Sequence, residues 1–144
     1  MNVWGAFPEV AAMSKTTRTI LLVDDDPAVR EVLGIALARR GRRVLDAASG
    51  REALARARQC RPDLVLLDID LPDMDGLQVC RALKTAPETR SVRVIMVTGR
   101  AEPRFRRMAR EAGADAYCTK PFDLAHLERH IASLLRRGRS SPLA

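Results

Sequence analysis

The stretch Thr19-Ile20-Leu21-Leu22-Val23-Asp24-Asp25-Asp26-Pro27 decides the fold. Four apolar residues in a row read as a strand covered on both faces, since parallel strands buried between helices lose the alternation of half-exposed ones. Proline after the acids suits the first position of a helix. The pattern then recurs. Leu64-Val65-Leu66-Leu67 stops at Asp68, Val94-Ile95-Met96-Val97 stops at Thr98-Gly99, and Tyr117-Cys118-Thr119 stops at Lys120-Pro121. If each run is a parallel strand, all four stops fall on one edge of one sheet. Open α/β sheets bind ligands at that edge, beyond the strand carboxyl ends. Carboxylates, a hydroxyl and an ammonium gathered there point to a metal-assisted phosphoryl site.

Helical patterns separate the runs. After Pro27 the residues Val29, Val32, Leu33, Ala36 and Leu37 share one face, and Gly41 ends the helix. A second strand is expected at Arg43–Ala47, and a second helix opens at the N-cap residue Ser49. A short third helix begins at Gly76. A fourth starts near Pro103 with a stripe of Phe105, Met108, Ala109 and Ala112, and Gly113 stops it. A fifth starts near Asp123 and buries Leu124, Leu127, Ile131, Leu134 and Leu135. Five consecutive β–α units predict a parallel sheet with helices on both faces. Strand order 2-1-3-4-5 puts strands one and three side by side at the switch point. Asp24 and Asp25 would then neighbour Asp68.

At 144 residues the chain is long enough for a real core, and with 3% aromatic residues that core must be aliphatic. Residues 1–17 read as a flexible leader, with Met13 a second candidate start. Residues 18–137 read as the folded domain, and 138–144 as a short tail with no output domain. No signal-peptide layout and no membrane-length apolar stretch is evident, so a cytoplasmic location is expected. Cys60, Cys80 and Cys118 are far apart and form no CxxC, which predicts reduced thiols. The net charge of +7 comes almost wholly from arginine. Those arginines are scattered, without interleaved aromatic residues for base stacking, so a solvated surface is expected rather than a nucleic-acid face. Arg100, Arg104, Arg106, Arg107 and Arg110 around the fourth helix are read first as a solvated face, with an acidic protein partner as the alternative.

Together, Val23-Asp24-Asp25-Asp26-Pro27, Asp68-Ile69-Asp70-Leu71-Pro72-Asp73-Met74-Asp75-Gly76, Thr98-Gly99 and Lys120-Pro121-Phe122 resemble the receiver domain of bacterial two-component response regulators. The resemblance covers about residues 18–137. It implies an α/β, flavodoxin-like, doubly wound five-stranded parallel sheet. It implies Asp68 as phosphoacceptor, with Lys120 and Thr98 contacting the phosphoryl group. It implies Mg²⁺ held directly by Asp25, Asp68 and the backbone carbonyl of Asp70, and by Asp24 mainly through water. Hard oxygen ligands suit that ion. Lys120-Pro121 resembles the family's cis bond, and an X–Pro bond is where cis costs little. Tyr117 stands at the family's switch aromatic, turning inward when Thr98 is drawn to the phosphoryl group. The fourth helix, fifth strand and fifth helix would then present a changed face. Arg100 and Asp70 border the site at positions that tune hydrolysis in such proteins.

The implied role is a signalling switch that catalyses only its own phosphorylation and dephosphorylation. The partners implied are a sensor histidine kinase or phosphotransfer protein, and a downstream protein target on the changed face. No direct nucleic-acid contact and no membrane contact is expected, and the protein would be a monomer or a phosphorylation-dependent dimer. Nucleic-acid binding is a weaker option, and two alternatives of protein function stay open. One is a phosphorylation-independent interaction module of the same fold. The other is a haloacid-dehalogenase-like phosphatase, from the Asp68-Ile69-Asp70 pattern, although there the motif lies on the first strand. Simpler readings exist residue by residue. The acids before Pro27 can cap a helix. Asp73 and Asp75 are read as turn and cap residues. His126 and His130 are one helical turn apart, but His126-Leu127-Glu128-Arg129-His130 is not the zincin motif and no third ligand is evident, so both are read as surface histidines.

Overall fold

A computed structural model describes residues 17–137. The leader and tail expected at 1–17 and 138–144 lie, Thr17 apart, outside the described residues. Five β–α units follow in sequence: β1 (Thr19–Val23), α1 (Pro27–Ala38), β2 (Arg43–Ala47), α2 (Gly50–Cys60), β3 (Leu64–Leu67), α3 (Gly76–Thr85), β4 (Arg93–Thr98), α4 (Pro103–Glu111), β5 (Ala116–Thr119) and α5 (Leu124–Arg136). The strands form one parallel sheet in the order β2-β1-β3-β4-β5. This is the doubly wound, flavodoxin-like α/β fold that the pattern of runs implies. Among the described residues, no helix is long and apolar enough to cross a membrane.

The sheet divides an aliphatic core in two. Leu21, Val23, Val65, Leu67, Val94 and Met96 point to the side covered by α2, α3 and α4. Ile20, Leu22, Leu64, Leu66, Ile95 and Val97 point to the side covered by α1 and α5. That division explains the unbroken apolar runs, because both faces of each central strand are packed. The helices fit their stripes less closely. Leu33 and Leu37 of α1 are buried, but Val32 is 67% exposed, and Met108 and Leu124 are also exposed. Val32 and Leu124 line an open apolar groove between α1 and the start of α5, together with Val29, Leu33, Ala36 and Phe122.

The amino end of the sheet is held by aspartates whose oxygens are well occupied. Asp63 accepts from the Thr19 amide at 2.9 Å. Asp115 accepts from the Val94 amide at 2.9 Å and pairs with both Lys84 and Arg93. Lys84 also donates to the Val92 carbonyl at 2.6 Å.

Candidate functional site

Strand register builds the site at the opposite end. Val23 is paired with Leu67, so the next residue of each strand, Asp24 and Asp68, emerge side by side. The ladder continues past the strands. The Asp24 amide donates to Ala47 O at 3.1 Å, the Asp68 amide to Val23 O at 3.1 Å, and the Lys120 amide to Thr98 O at 2.7 Å. Each side chain therefore leaves from a pinned backbone. Thr98 proves to be the last residue of β4, paired with Thr119, rather than the first residue after the strand. The Lys120–Pro121 bond is cis.

Asp24 and Asp68 are 3% and 6% exposed, which is rare for carboxylates. The Lys120 ammonium reaches between them, donating to Asp24 Oδ2 and, at 2.9 Å, to Asp68 Oδ2. Burial on its own would lower the lysine's pKa, but hydrogen bonds and charges from Asp24 and Asp68 outweigh it and hold the pKa above the ordinary lysine value. Lys120 is thus a fixed cation. The remaining oxygens are oriented by backbone amides, Asp24 Oδ1 by Asp26 at 2.9 Å and Asp68 Oδ1 by Asp70 at 3.2 Å. Asp25 is exposed beside them. Asp26 accepts from the Ala28 amide and so caps α1. The capping explanation therefore accounts for Asp26 and leaves Asp24 and Asp25 to the site.

Two buried carboxylates share one ammonium, the exposed Asp25 follows Asp24 in the chain, and the donor set is all hard oxygen. Those features fit Mg²⁺.

The rim of the site is made by the loops after β3 and β4. Arg100 clasps Asp70 through Nε and Nη2, with contacts of 2.9–3.2 Å. The Tyr117 hydroxyl donates to the Arg100 carbonyl at 2.5 Å. Arg106 lies over the Tyr117 ring, 4.8 Å from its centroid. Thr98 is fully buried, its hydroxyl 3.4 Å from the Arg100 amide. One loop therefore connects Thr98, Asp70 and Tyr117. At Gly99 an added Cβ would touch nothing, so packing does not demand glycine there.

Two supporting residues have roles that the sequence did not reveal. Asp73 accepts from the Gly50 and Arg51 amides at 2.8 and 2.9 Å. It thus caps α2 from the β3–α3 loop, while Asp75 caps α3 through a capping box with Gln78. The Arg51 and Gly50 amides hold the Asp73 carboxyl below the usual aspartate range. Gly76 is required by space. A Cβ there would lie 2.0 Å from Asp68 O and 2.7 Å from Ile69 Cα. The first turn of α3 therefore rests on the backbone that carries Asp68. Gly76 reads from sequence as a helix start, but the close approach is tertiary.

The response regulator receiver domain family matches residues 20–132. The chain is 40% identical over 120 residues to the transcriptional regulatory protein AfsQ1 of Streptomyces coelicolor, covering 83% of this chain and 52% of that protein. It is 38% identical over 130 residues to the DNA-binding response regulator MtrA of Mycolicibacterium smegmatis, covering 90% and 56%. Among solved structures it is similar to a CheY-like response regulator receiver domain protein from Methanospirillum hungatei. That likeness has a TM-score of 0.79 and 34% identity, and covers 84% of this chain and 95% of that one.

The chain thus spans about half the length of the curated relatives it matches. The expectation of partners that exclude nucleic acid is corrected by these relatives. MtrA is named as DNA-binding, and so is the dual master transcriptional regulator RpaA of Synechocystis, 38% identical over 125 residues. Scattered arginines misled that expectation, because composition within a matched half carries no information about what the rest of such a protein contacts.

Proposed function

We propose, from the premise that the chain belongs to the response regulator receiver domain family, that it is a switch driven by phosphorylation of Asp68. A phosphohistidine is the donor. The Asp68 carboxylate attacks phosphorus, the new O–P bond forms as the P–N bond breaks, and the imidazole departs with a proton from solvent. Most of the catalysis is positioning and charge neutralisation, as in other phosphoryl transfers. Lys120 holds a phosphoryl oxygen and orients the Asp68 carboxylate. Asp25, Asp68 and the Asp70 carbonyl would hold Mg²⁺, with Asp24 acting through water, and the ion when bound supplies further neutralisation of the phosphoryl charge.

The observation that carries this reading is the shared ammonium. Lys120 bridges two buried carboxylates at the carboxyl edge of the sheet, where acceptor chemistry needs a fixed cation. The output follows from the rim. Thr98 moves toward the phosphoryl group, and the loop that bonds both Asp70 and Tyr117 must follow. Tyr117 then changes place, and the α4-β5-α5 face changes with it. The shift is limited by the difference in phosphoryl contacts between the two states.

Intact-protein mass spectrometry with Mg²⁺ and acetyl phosphate tests the chemistry. Wild type should gain a labile phosphoryl group of about 80 Da, and Asp68→Asn should gain none. A gain retained in the asparagine variant would remove Asp68 from the role. Multiple turnover of p-nitrophenyl phosphate would instead favour a phosphatase.

A further inference from the structure

The two histidines of α5 acquire a third companion in the fold. His126 and His130 stand at i and i+4, on one face of the helix. Cys118 of β5 lies behind them. One ligand atom from each of the three residues falls within 4.8 Å of the other two. His126 Nε2 and His130 Nε2 are 3.3 Å apart, with the rings nearly perpendicular. In a tetrahedral zinc site, bond lengths of 2.0–2.1 Å to nitrogen and about 2.3 Å to sulfur place ligand atoms about 3.4 Å (N to N) and 3.6 Å (S to N) apart. The nitrogens are already at that separation. The sulfur lies within 4.8 Å of one ring nitrogen of each histidine, near enough for side-chain adjustment to complete the set. Leu127 and Ile131 on the neighbouring face are buried and fix the helix against the sheet.

We propose that Cys118, His126 and His130 form a binding site for a borderline divalent cation of the Zn²⁺ class, separate from the carboxyl-edge site. Cys118 is 4% exposed, His130 is half-buried and His126 is exposed, so the ion enters from solvent and seats against the sulfur. A fourth position stays open on the outer side for water or an added ligand. Binding converts the thiol to a metal-bound thiolate and releases one proton to solvent. Arg129 Nη2 lies 3.4 Å from His126 Nδ1. Ligation at Nε2 puts the proton on Nδ1, so this exposed arginine must turn away. Imidazole and thiolate select against Mg²⁺, and the carboxyl edge selects for it, so the two ions sort between the two sites. A bound ion would tie the first turns of α5 to the strand that carries Tyr117, with Lys120 just beyond it.

The test is a Co²⁺ titration of the reduced 144-residue chain in excess Mg²⁺. Tetrahedral visible bands and a near-ultraviolet thiolate-to-cobalt band should saturate at one ion per chain. Zn²⁺ should displace the cobalt, with its affinity read by competition against a chromophoric chelator. His126→Gln, at an exposed position, and His130→Gln, at a half-buried one, should each weaken Zn²⁺ binding by at least about tenfold, the smallest effect usual for losing even an outer-shell partner. Cys118→Ser, checked for folding by circular dichroism, should abolish the thiolate band, and Cys60→Ser should leave it unchanged. The site is refuted by no thiolate band in wild type, by unaltered affinity in the histidine variants, or by loss of the band in Cys60→Ser.

Discussion

Replacing Gly76 by alanine tests whether α3 rests on the backbone of Asp68. The new Cβ would lie 2.0 Å from Asp68 O, 2.8 Å from Asp68 C and 2.7 Å from Ile69 Cα. All three are backbone atoms, so no rotamer change relieves the contact. Helix and loop must separate by at least about 1 Å before contacts reach the 3.0 Å that real Cβ atoms respect. Overpacking of this kind costs about 1–3 kcal/mol, and the gain in helix propensity at a first position recovers only a fraction of the roughly 1 kcal/mol available in an interior. A net loss of about 2 kcal/mol is expected, which lowers the urea midpoint by about 1–2 M. The displacement also moves the carboxylate that we propose is phosphorylated. A misplacement of about 1 Å can slow chemistry by about a hundredfold, so labelling by acetyl phosphate should slow by one to two orders of magnitude. Gly34→Ala is the internal control. It lies inside α1, where an added Cβ meets nothing within 4 Å. It should stabilise by about 0.5–1 kcal/mol and leave labelling unchanged. Equal midpoints for wild type and Gly76→Ala, or equal losses at both glycines, would refute the reasoning.

Three further outcomes follow from the same geometry. Lys120→Met should cost about 1–2 kcal/mol at neutral pH in urea titrations, a buried-pair penalty discounted for the partial exposure of the ammonium. Because the folded pKa of Lys120 is raised, the wild-type advantage should be complete below the ordinary lysine value of 10.5 and shrink only as pH climbs beyond it. Arg42 donates to both oxygens of the buried Glu128, at 2.7 and 2.9 Å, so Arg42→Ala should cost about 3 kcal/mol. Adding Glu128→Leu should recover most of that loss, as read from the same urea titrations. Asp73→Ala should increase amide exchange at Gly50 and Arg51. Its folded pKa is depressed, so the stability difference from wild type should be full above the ordinary aspartate range and vanish as pH falls through the folded value.

The architecture was legible because Leu64–Leu67 and its counterparts are apolar on both faces and stop at polar residues. Strand burial and strand length are local properties, and right-handed crossovers do the rest. The convergence of Asp24, Asp68 and Lys120 was legible for the same reason, since parallel register carries residues after strand ends to one edge. What stayed hidden is tertiary. Asp73 read as a turn residue, yet it caps a helix that begins 23 residues earlier in the chain. Gly76 read as a helix start, yet the backbone of Asp68 forbids it a side chain. Val32 and Leu124 matched helical stripes, yet they border a groove that no element of the described structure covers. His126 and His130 lacked a third ligand only along the chain, since Cys118 reaches them across a strand-to-helix turn.

The sheet treats its aspartates in opposite ways at its two poles. At the amino pole, Asp63 and Asp115 are saturated by amides and by Arg18, Lys84 and Arg93, and they act as anchors. At the carboxyl pole, Asp24 and Asp68 share one ammonium while Asp25 adds a third negative charge. The first pole has an electrostatic account that closes, and the second is left in debt. A ligand that brings positive charge to the second pole is therefore bound by relief of repulsion already built into the folded chain. Sequences selected for stability alone would neutralise that pole first, and would lose the readiness that the repulsion provides.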